Sequence, residues 1–260
     1  MFPSTVVSTA LLSSIQLALL LGMFSVSILA GELSNAASTP VNARSASRNT
    51  NSATRRHFIP YGHHGPRVAF QQTDVWALIK TDDGMLFVWN NHELHFTLAV
   101  KGKDIKQVDV PDRIFLAVDG KTLQIQAAEI REFAADAKEK KLDDKAVLAA
   151  HRDWESKYIG ELLKSNLTLH SFTLNMSAGG TASLWEFDMP AGMNVEAKTQ
   201  VYVTVVRGDH VVMLNSEATT ANPEVEVRKF LLDTIATLKT SDVPIDVQKL
   251  SEAIRAGRKP

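Results

Sequence analysis

The chain has 260 residues, no cysteine and a formal net charge of −1 at pH 7. The lack of cysteine excludes disulfides, thiolate metal sites, a cysteine nucleophile and a lipid-modified N-terminal cysteine. A composition of 45% hydrophobic and 22% charged residues is ordinary for a globular protein and carries no basic excess, so it argues against a nucleic-acid-binding surface.

The first element in chain order is an almost wholly apolar run from Leu11 to Ala30. About 20 such residues are long enough to cross a bilayer as a helix. We therefore predict that residues 1–36 are a signal peptide or membrane anchor, with Ser34-Asn35-Ala36 or Ile28-Leu29-Ala30 as the cleavage site. The protein is then exported, to the periplasm or the extracellular space. Because the first arginines follow the run, a retained anchor with inverted topology stays open.

Residues 37–66 are rich in Ser, Asn, Thr and Arg and lack periodicity, which predicts a flexible polar linker. Its end contains His57, His63 and His64, whose imidazoles are candidate ligands for zinc or copper. No carboxylate or thiolate accompanies them, so an exposed linker end is the simpler interpretation and no metal site is assigned.

Residues 67–260 are predicted to form a single α+β domain. Nine strands are predicted: Asp74–Lys80, Met85–Trp89, Leu94–Val100, Ile114–Val118, Thr122–Ala127, Leu167–Asn175, Ala182–Met189, Gln200–Arg207 and His210–Asn215. Asp119-Gly120 and Gly208-Asp209 each predict a hairpin turn, since glycine supplies the positive φ that such turns need.

Helical periodicity predicts three helical stretches in the same domain. The first runs from Glu129 to Lys164, with a break near Asp143-Asp144; the second is capped by Asn222, begins at Pro223 and ends near Lys239; the third runs from Val247 to Arg255. The order strands, helices, strands, helix predicts an antiparallel β-sheet covered by helices, an α/β/α sandwich-like arrangement.

Residues 182–239 read LWEFDMP, then QVYVTVVRGDHVVMLN, then a helix started by proline. This segment resembles the closing part of PsbP-like and DcrB-like α/β/α sandwich domains, in which a long hairpin leads into a C-terminal helix. The resemblance implies an exported or lumenal binding or assembly factor, as distinct from an enzyme. It carries over no functional residue, because no signature residue is shared.

Known catalytic motifs are not found. Gly120-Lys121-Thr122 has Phe115 where a phosphate-binding loop needs glycine, and no hydrolase elbow, dinucleotide fingerprint or zinc-protease helix motif occurs. His92 and His95 would point to opposite faces of a strand, which disfavours a shared metal. Arg207-Gly208-Asp209 matches an adhesion tripeptide, yet the turn alone explains it.

His151 is predicted on an apolar helix face beside Trp154, with Glu155 four residues on. A general base would suit that environment, but a core histidine is the commoner outcome. The aromatic side chains could likewise line a ligand pocket, although strand and helix spacing favours the core; they are Trp76, Trp89, Trp154, Trp185, Phe187 and Tyr202.

Together these patterns favour a non-enzymatic binding or assembly module of the cell envelope. Its expected partner is an envelope protein or a small ligand, and no catalytic residue or cofactor is assigned. Two alternatives stay open: a periplasmic small-ligand or metal carrier, and a hydrolase with a site assembled around His151.

Overall fold

The computed structural model describes residues 70–257, except 73–75, 92, 111–112, 177–179 and 194. The predicted signal peptide or anchor (1–36) and linker (37–66) therefore lie outside the described residues. In the described part of the chain, no helix combines the length and apolar character needed to span a bilayer.

The described elements are twelve strands and four helices. The strands are β1 Phe70–Gln72, β2 Trp76–Thr81, β3 Gly84–Asn90, β4 His95–Lys101, β5 Ile105–Val108, β6 Ile114–Val118, β7 Lys121–Glu129, β8 Leu169–Asn175, β9 Thr181–Asp188, β10 Thr199–Arg207, β11 His210–Ala218 and β12 Lys239–Ser241. The helices are α1 Ile130–Phe133, α2 Asp144–Leu163, α3 Glu224–Ile235 and α4 Val247–Arg255.

The strands form two sheets in which each observed pairing is antiparallel. One has five strands in the order β1-β2-β3-β4-β12, and the other has seven in the order β5-β6-β7-β11-β10-β9-β8. The predicted α+β class with antiparallel pairing and covering helices is confirmed. The strands are divided between two sheets, where the sequence led us to expect one.

The main hydrophobic core lies between the two sheets and includes α3. Phe87, Phe96 and Leu98 come from the five-stranded sheet, and Leu116 and Leu123 come from the seven-stranded sheet. Helix α3 adds three buried side chains to the same cluster, namely Val227, Leu231 and Ile235. Each sheet thus buries one face against the other sheet and α3, and this burial of apolar surface stabilises the fold.

The outer faces of the sheets are covered by the other helices. Val247 of α4 packs with Ile79 and Val88 on the outer face of the five-stranded sheet. Helix α2 covers the outer face of the seven-stranded sheet, where Ile159 packs with Trp185. The layers therefore run α4, five-stranded sheet, core with α3, seven-stranded sheet, α2.

The long predicted helix is largely replaced by turns in its first half. Asp143 caps α2, its side chain accepting from the Ala146 amide at 2.8 Å, as the sequence predicted. Before that cap, only Ile130–Phe133 is helical and residues 135–141 form turns. The segment has good helix formers but few large apolar residues, so no buried stripe stabilises a continuous helix.

The helix predicted from Asn222 also begins and ends differently. Helix α3 begins at Glu224, and the Asn222 side chain donates to the Gly120 carbonyl at 2.9 Å instead of capping the helix. The helix ends at Ile235, and Lys239 begins strand β12, which pairs with β4. Strands β1, β5 and β12 were not predicted, since each is only three or four residues long.

Candidate functional site

Strand β8 is one edge of the seven-stranded sheet and pairs with β9. Five of its residues are exposed, including Phe172 with 48% of its surface accessible. Its sequence, LHSFTLN, has no lysine, aspartate, glutamate or proline, which are the residues that proteins commonly use to block an open edge. Among the described residues, no strand pairs with the outer side of β8, so this seven-residue edge is available for pairing.

The pairing pattern shows which backbone groups of β8 point outward. The Met176 amide donates to the Gly180 carbonyl at 3.0 Å, continuing the β8–β9 register by one pair. In an antiparallel ladder, hydrogen-bonded pairs alternate with non-bonded pairs. The N–H and C=O groups of Ser171, Thr173 and Asn175 therefore face away from β9, and a further strand would bond to these groups.

A groove of about 600 Å³ runs beside the start of β8, between this strand and α2. Its helix side presents Asp153, Lys157 and Glu161, and its floor includes Gly160 and Leu169. Acidic and basic side chains alternate along the groove, and Leu169 belongs to both the groove and the edge strand. The two features therefore form one continuous surface.

The opposite face of β8 carries an aromatic and cationic contact. The Arg228 guanidinium lies 5.7 Å from the centre of the Phe172 ring. Arg228 also forms a bidentate ion pair with Glu186. Its Nε donates to one carboxylate oxygen at 2.8 Å, and its Nη2 donates to the other. Because the Glu186 side chain is only 4% exposed, this pair fixes α3 against the edge of the sheet.

Two buried titratable groups lie on the inner face of α2. Burial raises the pKa of Glu155 to about 7 and lowers the pKa of His151 to about 4. His151 lies edge-on to Phe133, with ring centres 5.0 Å apart, and contacts Trp154. Within the described residues, no hydrogen bond joins His151 to Glu155 and His151 Nδ1 has no partner. This geometry favours the core interpretation over the catalytic one.

The predicted aromatic residues pack in three places, one of which is the contact of Trp154 with Phe133 and His151. Trp76 and Trp89 pack around Phe87 in the core between the sheets. The Trp185 and Tyr202 rings stack at 3.9 Å beneath α2, with Phe187 beside them. The Trp185 Nε1 and the Tyr202 hydroxyl are buried without partners in the described part of the chain. These residues support the fold and do not converge on one pocket.

The remaining sequence candidates have separate outcomes. The candidate ligands His57, His63 and His64 lie outside the described residues, as does His92. Asp209 of the adhesion-like tripeptide makes an ion pair with Lys138 at 2.6 Å in a tight turn.

No protein-family model matches this chain, and no curated protein sequence does so. The fold is similar to the solution structure of cyanobacterial PsbP (CyanoP) from Synechocystis sp. PCC 6803, with a TM-score of 0.41 and 11% sequence identity. The match covers 60% of this chain and 92% of that chain.

Proposed function

We propose that this protein is a non-enzymatic binding or assembly module of the cell envelope, which takes an extended segment of a partner protein onto the free edge of β8. The observation that carries the proposal is the exposed edge itself, a seven-residue strand without a blocking charge or proline. Adding a strand to such an edge is a common way to bind a peptide, because backbone hydrogen bonds supply affinity without requiring an enclosed pocket.

The surroundings of β8 indicate the chemistry of the partner segment. Seven residues of strand extend about 24 Å, so the segment would be about as long. Its side chains would alternate between the face with Phe172 and Arg228 and the face with the groove. We therefore expect apolar or aromatic residues on the first face and polar residues on the second, at a spacing of two.

Export is the second part of the proposal and rests on the apolar run from Leu11 to Ala30. Expression of the full chain followed by cell fractionation and N-terminal sequencing tests it. A mature N-terminus near residue 37, or full-length protein in the membrane fraction facing outward, would support export. Recovery of the full chain in the cytosol would contradict it.

The edge-strand proposal is tested with Thr173→Pro in the full chain. Proline removes the outward N–H of an exposed edge residue and leaves the β8–β9 ladder intact, since that N–H makes no bond to β9. Peptides of 12 residues are selected from a random display library on the wild-type protein. We expect the selected peptides to bind the proline variant at least tenfold more weakly. One or two backbone hydrogen bonds are lost, and the proline ring keeps the peptide backbone from lying close to β8.

Thr173→Ala is the matched control, since it changes the same side chain and keeps the N–H; it should bind like the wild type. Circular dichroism and thermal unfolding show whether the proline variant stays folded. Amide exchange should slow at Ser171, Thr173 and Asn175 when a selected peptide is bound. Equal binding by the folded proline variant, or protection confined to other strands, would refute the β8 site.

A further inference from the structure

A cluster of metal-ligating side chains lies at one end of the sheets, away from β8. It consists of Glu93 in the loop between β3 and β4, Glu129 at the end of β7, and His210 at the start of β11. One ligand atom from each residue lies within 4.8 Å of the others. The three residues are far apart in sequence; strand pairing brings Glu129 and His210 together, and the packing of one sheet on the other adds Glu93.

Backbone contacts hold two of the three residues in place. His210 and Glu129 are directly opposite each other in the β11–β7 register, so their side chains lie on the same face of the sheet. The Ile130 amide donates to the Asp209 carbonyl at 2.9 Å, which fixes the strand end against the adjacent turn. The pair is therefore positioned before any ligand arrives, and exposed Glu93 can adjust to it.

The state of His210 points to a ligand. The residue is only 4% exposed, and no hydrogen bond of the described residues involves its imidazole, whose nitrogens are not among the fully buried unpartnered atoms. A buried imidazole ordinarily bonds to a carboxylate, a backbone carbonyl or an ordered water. Here one ring nitrogen lies within 4.8 Å of a carboxylate oxygen from each of the two glutamates, so a small cation between them would bond to all three side chains.

The charge around His210 favours a cation. Glu132 also lies near both Glu129 and His210. Carboxylates of Glu93, Glu129 and Glu132 thus lie near the imidazole, and the Arg131 guanidinium, which pairs with one oxygen of Glu129, lies near the same three carboxylates. Arg131 is largely exposed, and such surface pairs contribute little free energy, so the pair with Glu129 does not preclude metal binding.

We propose that Glu93, Glu129 and His210 bind one divalent transition-metal ion, with Zn²⁺ as the preferred test ion. One imidazole nitrogen and two carboxylate oxygens form a three-ligand set of the kind zinc accepts, with a fourth position for water. The nitrogen ligand disfavours Mg²⁺ and Ca²⁺, and Mn²⁺ should bind more weakly than Zn²⁺. Bound metal would tie the β3–β4 loop of the five-stranded sheet to β7 and β11 of the seven-stranded sheet.

The site is tested on the full-length protein after removal of metal with a chelator. Zn²⁺ is titrated by calorimetry into the wild type, Glu93→Gln and Glu129→Gln, because Glu93 is exposed, Glu129 is partly exposed and their replacement should spare folding. We expect one site in the wild type and an at least tenfold higher Kd in each variant. In the wild type, Zn²⁺ should also shift the side-chain nitrogen resonances of His210.

Two controls separate this site from other zinc ligands. Glu226→Gln, an exposed glutamate on α3, should leave the Kd unchanged. His57, His63 and His64 are replaced together by alanine, and this variant should retain the site. The proposal is overturned if Glu93→Gln binds Zn²⁺ as tightly as the wild type, if the His210 resonances do not move, or if binding disappears only with the three linker-end histidines.

Discussion

Replacing Glu155 with glutamine should make the protein more stable at neutral and alkaline pH. Glu155 lies on the inner face of α2 with 2% of its surface exposed, and burial raises its pKa from 4.5 to about 7. Between these two values the folded state binds more protons than the unfolded state, so this group lowers stability as pH rises. Below pH 4.5 both states are protonated and the effect vanishes; above pH 7 it is complete.

The size of the effect follows from the two pKa values. At about 1.4 kcal/mol for each tenfold change, a rise from 4.5 to about 7 corresponds to about 3 kcal/mol. The difference in unfolding free energy between Glu155→Gln and the wild type should therefore grow by about 3 kcal/mol between pH 4.5 and pH 8. Urea unfolding followed by circular dichroism at several pH values measures it.

Glu161→Gln is the matched control, since Glu161 is exposed on the same helix; its effect on stability should stay nearly constant over this pH range. If the difference in unfolding free energy between Glu155→Gln and the wild type is also constant from pH 4.5 to pH 8, the raised pKa of Glu155 is refuted. The carboxylate would then ionise in the folded protein as readily as in the unfolded chain.

Two further predictions concern the other buried charges. The free energy of unfolding of His151→Leu should rise by about 3 kcal/mol relative to the wild type as pH falls from 7 to 4. Burial lowers the pKa of His151 to about 4 and disfavours the charged ring, which the unfolded chain adopts below pH 6.5. Acid unfolding monitored by fluorescence checks this, and a constant difference across that range would contradict it. Arg228→Ala should destabilise the fold by about 3 kcal/mol, since it leaves the buried Glu186 carboxylate without its partner, whereas Lys229→Ala, which breaks an exposed pair with Asp233, should change stability by less than about 0.5 kcal/mol. Equal losses in urea unfolding for the two variants would show that the Glu186 pair is solvated.

Local sequence was sufficient for most of the secondary structure. The alternating apolar runs predicted nine strands, and the described residues contain a strand at each of them. Positive φ angles at Gly120 and Gly208 confirm the two predicted hairpin turns. The prediction failed between Phe133 and Asp143, where good helix formers have no buried stripe to pack, and at the short strands β1, β5 and β12, which exist only because longer strands lie beside them.

The candidate sites were beyond local prediction for a different reason. The segment LHSFTLN predicts a strand, but only the order of strands in the sheet makes it an edge, since an edge is defined by what lies beside it. The positions of Glu93, Glu129 and His210 in the sequence match no metal-binding motif. A loop of the five-stranded sheet and two strands of the seven-stranded sheet bring them together.

The sequence by itself therefore determined the class of the domain, the turns and most strands, because alternation, glycine and capping residues act over a few neighbours. It also identified His151 as a buried helix-face residue, which is 1% exposed in the structure. Tertiary structure alone decided that the strands form two sheets, that β8 is an edge strand among the described residues and that His210 lies close to two glutamates. Those features depend on contacts between residues distant in the chain, for which local periodicity carries no information.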